Sequence, residues 1–361
     1  MVALRPGPVA PVILGLAGTY LRPDEKAYIQ ARQPLGFLLF ARNIENPEQV
    51  RELCADLSEL STASPPLIAV DQEGGRVQRL KFAGAMPPAR AFGDWHAHDP
   101  EAALEAVKLD GLLLAAELSE VGANWVMAPV LDRAHEVTHA IIGDRSFSGD
   151  IDRIVALAGA FAEGVAEGGC WSCLKHAPGH GLAAVDSHKA LPQVDASLAE
   201  LENDMAPFAR MAAGADFMMT AHIQYKALDG ENPATFSPSI VAMMRKDWRF
   251  NGLILADDVG MQALDGSYTS RIKRALAAGC DVAIASMSLL REGMAGTVFD
   301  EAHFAELQQA ELPDLSGRAR AFVEGLHLPE APDTEKIACA RDRLRALWAD
   351  GPARMGYKFD L

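Results

Sequence analysis

Short apolar runs, each bounded by polar residues, glycine or proline, recur along the whole chain, and eight of them have the length of a strand. They cover residues 12–17, 36–40, 67–70, 124–129, 171–175, 217–221, 253–256 and 281–285. Most are nearly continuous in apolar residues rather than alternating, which predicts strands covered on both faces, as in a parallel sheet. Between most of them the period changes to that of a helix. The clearest case places Ile151, Ile154, Val155, Ala158, Phe161, Ala162 and Val165 on one face, with Asp150 able to cap the start and Gly168-Gly169 able to end it. Another helix is predicted from Ser197-Leu198-Ala199-Glu200, a capping-box pattern, with Pro207 expected to kink or divide it. Eight strands alternating with helices predict an α/β fold, a closed (β/α)8 TIM barrel, as a single domain over 1–361. Residues from about 300 onward, notably 334–348, predict a helical C-terminal segment packed on that barrel.

The polar residues sharpen this picture. Arg42, Asp71, Asp132, His176, His222 and Asp257 all fall at or just past the C-terminal end of an apolar run. In this fold that is the catalytic face. Composition narrows the partners: 33 Lys and Arg against 49 Asp and Glu give a net charge of −16, a field that repels nucleic acid. No apolar run reaches the roughly 18 residues of a membrane span. The stretch 9–17 near the N-terminus, with Pro6, Pro8 and Pro11 around it, reads as a loop entering the first strand rather than a leader. Five cysteines, an odd count, argue against a disulfide framework and point to a reducing, cytoplasmic setting. Cys170-Trp171-Ser172-Cys173 has redox-motif spacing, but residues three apart on a strand face opposite ways and cannot bridge.

Three clusters carry candidate chemistry. Asp257 and Asp258 are adjacent at a strand end, so one can face the barrel mouth while the other caps a loop; a plain Asp-Asp turn is the competing reading. Asp186 and His188 are one residue apart, and a carboxylate that close can orient an imidazole and favour its protonated form. That suits a general acid and base, although an exposed turn with a surface histidine has the same spacing. Asp71-Gln72-Glu73-Gly74-Gly75-Arg76 and Gly143-Asp144-Arg145-Ser146-Phe147 put carboxylate and guanidinium beside glycine, fitting either the hydroxyls of a polyol or a salt-bridged turn. His96-Ala97-His98 precedes a helix instead of ending a strand, which disfavours metal ligation there.

Taken together these segments resemble the family 3 glycoside hydrolases, in particular their single-domain bacterial β-N-acetylglucosaminidases. The matching segments follow one another in order: Asp71-Gln72-Glu73-Gly74-Gly75-Arg76-Val77-Gln78-Arg79, then Ile142-Gly143-Asp144-Arg145-Ser146-Phe147, then Lys175-His176-Ala177-Pro178-Gly179-His180-Gly181 with Asp186-Ser187-His188. Asp204-Met205-Ala206-Pro207-Phe208, Met219-Thr220-Ala221-His222 and Asp257-Asp258-Val259-Gly260-Met261 complete the set. The resemblance implies Asp257 as nucleophile, Asp186 and His188 as an acid/base dyad, and Asp71, Arg79, Arg145, Lys175 and His176 as contacts to the terminal sugar. It also implies N-acetylglucosamine-bearing muropeptides as substrate, trimmed in cytoplasmic peptidoglycan recycling, with neither cofactor nor metal. Two departures are visible, Ala177 where the family usually has Phe and Ala256 where Ser commonly precedes the nucleophile, and both bear on the expected shape of the pocket.

Other readings remain open at this stage. A histidine acid does not repel incoming phosphate as a carboxylate does, so phosphorolysis is an alternative to hydrolysis on the same scaffold. A metal-dependent barrel hydrolase would draw ligands from His176, His180, His222 and Asp257. A non-catalytic sugar-binding protein would need the hydroxyl contacts but not the dyad. The sequence leaves the oligomeric state undetermined.

Overall fold

The computed structural model describes residues 1–136, 138–183, 190–290 and 297–357. Among them, eight parallel runs form one sheet that returns on itself: β1 (Ala10–Gly15), β2 (Pro34–Leu39), β3 (Leu67–Val70), β4 (Trp125–Val126), β5 (Trp171–Ser172 and Leu174–Ala177), β6 (Phe217–Thr220), β7 (Leu253–Ala256) and β8 (Val282–Ala285). Closure runs through β5, whose first half pairs with β4 (Trp125 opposite Trp171) and whose second half pairs with β6 (Leu174 opposite Met218). β8 pairs back to β1, with Ile284 opposite Ile13. This is the (β/α)8 barrel that the apolar runs predict. β4 is shorter than its run, although Met127 N still donates to Val70 O and Val130 forms a parallel bridge with Lys175.

Side chains alternate across each strand and so divide between two cores. Ile13, Leu67, Ala69, Trp125, Cys173, Phe217, Met219, Leu255 and Ile284 fill the barrel interior. Val12, Ile68, Val126, Leu174, Met218, Ile254 and Ala283 face outward into the helical layer. The same parity separates Cys170, in the outer core, from Cys173, in the inner one. Both thiols are free, and burial pushes each up to about 12, which keeps them unreactive at neutral pH.

Helix ends follow the local sequence. Asp150 Oδ1 accepts from the Arg153 amide at 2.8 Å at the start of Ile151–Glu167. That helix packs tightly on Pro100–Glu120, because a Cβ on Gly164 would lie 1.9 Å from the Lys108 carbonyl oxygen. At the start of Leu198–Met211, Ser197 and Glu200 form the reciprocal capping box, with Ser197 N 2.9 Å from Glu200 Oε2. This helix is continuous through Pro207, which does not divide it as the sequence suggested. Burial of Leu201, Met205 and Phe208 along one face offsets the single backbone bond that proline removes.

The C-terminal helices cover two parts of the barrel. Gly317–Gly325 closes its lower end: Leu315, Ala319, Val323 and Leu326 join the interior cluster with Val2 and Val9. Val2 N donates to the Leu326 carbonyl, and Leu315 N to that of Val9, both at 2.7 Å. Helix Thr334–Asp350 lies on the outer layer, where the Trp348 ring meets Phe92 and Trp95 edge-on at 5.7 and 6.2 Å. With the lower end filled, the open mouth is the face where the strands end.

Candidate active site

Strand parity carries a polar layer to that mouth. Asp71 follows Leu67 and Ala69 on the inward side of β3, Lys175 follows Cys173 on β5, and Asp257 follows Leu253 and Leu255 on β7. All three line one cavity of about 480 Å³, within the usual range for small-ligand sites. Apolar Leu38, Met127, Met219 and Ile284 form its floor, and Arg79, Arg145, His176 and His180 share its wall.

The strongest interactions in the cavity centre on Glu73. This residue sits in a short hairpin (Gln72–Gly74 with Val77–Gln78) directly after β3. Gly74 has φ +85°, and a Cβ there would meet the Pro87 carbonyl oxygen at 2.3 Å, so the turn needs glycine. Gln72 braces the hairpin from behind: its amide Nε2 donates to Leu80 O and Glu117 Oε2, and its Oε1 accepts from Arg79 N and Leu80 N. Arg145, in the turn Gly143–Arg145, clamps Glu73 with Nε to Oε2 at 2.7 Å and Nη2 to Oε1 at 2.8 Å. Lys175 Nζ lies 2.6 Å from Glu73 Oε1 and 3.1 Å from Asp71 Oδ1, and Arg79 Nη2 is 3.4 Å from Asp71 Oδ2. Burial alone would raise both carboxyls. Lys175 and Arg79 around Asp71, and Arg145 and Lys175 around Glu73, outweigh it and hold both below the usual carboxylate range. Burial would likewise lower Lys175, yet the two carboxylates keep its ammonium above its ordinary value. The charges of Asp71, Glu73 and Lys175 are therefore all present at neutral pH.

A second brace orients His176. Asp132, fully buried beyond β4, accepts from His176 Nδ1 at 2.7 Å and from the His180 amide at 2.7 Å. A carboxylate can only accept, so Nδ1 carries the hydrogen and Nε2 faces the cavity beside Arg145 Nη2, 3.5 Å away. Burial pulls His180 down to about 4 despite the nearby Asp132 carboxylate, which keeps that ring neutral. On the opposite wall Arg42 donates to Leu16 O, Ser286 O and Ser288 Oγ at 2.7–2.8 Å and lies over the Phe40 ring.

The two adjacent aspartates take different environments. Asp257 lines the cavity, and its Oδ1 accepts from the Asp258 amide at 2.7 Å. Asp258 also reaches the cavity lining, but its carboxylate caps the following loop, accepting from Gly260 N at 3.0 Å and from Ser286 Oγ at 2.5 Å. Burial raises its carboxyl above the ordinary value in spite of those donors.

The structure thus brings Asp71, Arg79, Arg145, Lys175, His176 and Asp257 into one cavity. Asp186 and His188 lie outside the described residues. Residues 179–183, which precede them in the chain, are tied down by hydrogen bonds from Tyr225 Oη to Gly179 O and from Thr138 Oγ1 to Gly181 O, both at 2.7 Å. Glu73 is the functional residue that sequence reasoning quoted but did not assign. Its signal was parity, since a residue two beyond Asp71 returns to the same side. Ala177 and Ala256, the two departures from the family pattern, are fully buried and do not line the cavity. The alternative donor set for a metal is dispersed: among the described residues no three His, Cys, Asp or Glu side chains are grouped to hold an ion.

The family model for the glycosyl hydrolase family 3 N-terminal domain matches residues 14–314. The chain belongs to that family. A β-hexosaminidase of Pseudomonas aeruginosa is 41% identical over 278 residues, which is 76% of this chain and 81% of the relative. One from Chromobacterium violaceum is 42% identical over 283 residues, 77% of this chain and 78% of its own. Among solved structures, native NagZ from Neisseria gonorrhoeae superposes with a TM-score of 0.82 at 32% identity, covering 94% of this chain and 98% of that one. As a family member with this cavity, the chain is a glycoside hydrolase. No helix among the described residues is long and apolar enough to cross a membrane.

Proposed function

We propose that the chain is a retaining exo-β-N-acetylglucosaminidase that removes terminal N-acetylglucosamine from peptidoglycan fragments in the cytoplasm. The observation that carries this reading is the placement of Asp257: it ends β7 inside a closed-bottomed cavity whose opposite wall is a layer of ionised, mutually braced polar groups. Such a pocket accepts one end of a glycan and offers a carboxylate to it. The β-hexosaminidases to which the chain is similar support the choice of an N-acetylhexosaminide.

In this mechanism Asp257 attacks the anomeric carbon while the leaving oxygen takes a proton, forming a glycosyl ester. Water then attacks the same carbon and releases the sugar with its configuration retained. Asp71, Arg79, Arg145, Lys175 and His176 hold the hydroxyls of the terminal ring. His188, oriented by Asp186, supplies the proton in the first step and accepts one from water in the second.

The test of substrate is the ratio of kcat/KM for an aryl N-acetyl-β-glucosaminide and the matching aryl β-glucoside, which should strongly favour the former. Equal turnover would sink the N-acetyl assignment. The test of the dyad uses His188→Ala. Its loss should be about 10²–10⁴-fold on a poor leaving group, the scale of general acid catalysis, and far smaller on a dinitrophenyl glycoside that departs without a proton. Equal losses on both substrates would remove His188 from the acid role.

A further inference from the structure

His222, at 1% exposure just past the end of β6, is not part of the cavity wall but stands behind Asp257. Its Nε2 is 2.9 Å from the backbone carbonyl oxygen of Asp258, and its Nδ1 is 2.7 Å from Thr235 Oγ1. A carbonyl oxygen only accepts, so Nε2 carries hydrogen and donates it whatever the charge of the ring. Thr235 is itself fixed, with its hydroxyl 2.9 Å from Thr220 Oγ1 and 3.1 Å from the Ala221 carbonyl oxygen. The ring is therefore clamped between the segment that follows β7 and the turn Ala234–Phe236.

The residue that receives the His222 bond is the one whose amide donates to Asp257 Oδ1 at 2.7 Å. Asp258 is held from its other side as well, through its carboxylate on Ser286 Oγ and Gly260 N. Its backbone is thus gripped at both ends, and its N–H points at one oxygen of the neighbouring carboxylate. A carboxylate attacks a carbon with a single oxygen, and a plane free to rotate spends only part of its time aligned. Errors of about 1 Å in a reacting group cost about 10²-fold in rate.

We propose that His222 is a positioning residue: through the Asp258 backbone it fixes the plane of Asp257 by holding Oδ1 on the Asp258 amide. This inference rests on Asp257 being the nucleophile. It also accounts for a histidine, since Nε2 must reach a carbonyl while Nδ1 is held by a hydroxyl on the opposite edge of the ring.

The test compares His222→Phe, His222→Gln and Thr235→Val on two aryl N-acetylglucosaminides, one with a poor leaving group and one dinitrophenyl, with thermal melts of each variant. His222→Phe should lower kcat by about 10²-fold with KM near the wild-type value. The loss should be similar on both substrates, because the nucleophile is displaced while the proton donor is not. His222→Gln, whose amide can still donate to the carbonyl, should recover most of it. Thr235→Val should fall between wild type and His222→Phe. The inference is overturned if His222→Phe retains wild-type kcat, or if His222→Gln is no better than His222→Phe. Should His222→Phe fail to fold, an unchanged kcat in Thr235→Val overturns it equally. An active Asp257→Ala enzyme would defeat the underlying reading together with this one. An inactive Asp257→Ala beside a fully active His222→Phe would defeat this one alone.

Discussion

Asp257→Ala is expected to abolish turnover, with kcat/KM falling by about 10⁴-fold or more, the scale on which enzymes lose activity when a covalent nucleophile is deleted. The fold should survive, because Asp257 is half-buried at the open mouth of the barrel and not within its apolar core. Wild-type melting with no hydrolysis is the first sign. The second is chemical rescue. Alanine leaves a gap on the face of the sugar opposite the leaving group, and azide can enter it. With a dinitrophenyl N-acetyl-β-glucosaminide, azide should attack the anomeric carbon as dinitrophenolate departs, giving the α-glycosyl azide. An alanine variant that still hydrolyses aryl glycosides, or azide rescue giving only the β product, would remove Asp257 from the nucleophile role.

The second large effect concerns stability. Glu73→Ala leaves the Arg145 guanidinium, 11% exposed, without the bidentate partner it holds in the wild type, and takes from Lys175 its shortest contact. Removing one member of a buried ion pair typically costs about 3–5 kcal/mol, because the charge left behind remains desolvated. Urea unfolding at pH 7 should show a loss of that order, and activity should fall with it as Arg145 and Lys175 swing free. The pH dependence follows from the sign of the shifts. Glu73 and Asp71 are held below the usual carboxylate range, so their contribution is fully present above about pH 5, where the unfolded carboxyls are also ionised. It is lost as pH falls through the unfolded values, near 4, toward the lower folded ones. The stability gap between wild type and Glu73→Gln should therefore be widest near neutrality and narrow below about pH 4. A gap that stays constant with pH would show that the ion pairs contribute nothing net.

These two residues were unequally legible from the chain. Asp257 closes an apolar run, so a one-dimensional pattern locates the aspartate pair, while the structure shows Asp257 in line with inward Leu253 and Leu255. The same parity places Asp71 and Lys175 and separates Cys170 from Cys173. Glu73 lies in a glycine turn, where strand alternation is a weak guide, and its partners come from Arg145 and from Lys175, the latter belonging to a strand 104 positions beyond Asp71. Sequence reasoning gave Arg145 and Lys175 to the substrate; the structure adds that Glu73 braces both from within the same cavity. Pro207 shows the converse case: the local rule allowed a kink or a division, and with one helix face buried the helix runs on undivided.

The sequence by itself determined the eight strands, their order and the polar mouth, because backbone periodicity and burial act over a few residues and leave their mark on neighbouring positions. Only the tertiary structure decided which charges neutralise one another, that His222 reaches the backbone beside Asp257, and that the helix Gly317–Gly325 seals the barrel's lower end. Those are contacts between segments far apart in the chain. Their strength depends on distances of a few ångströms in a medium that excludes water, and no local pattern of residues encodes such distances.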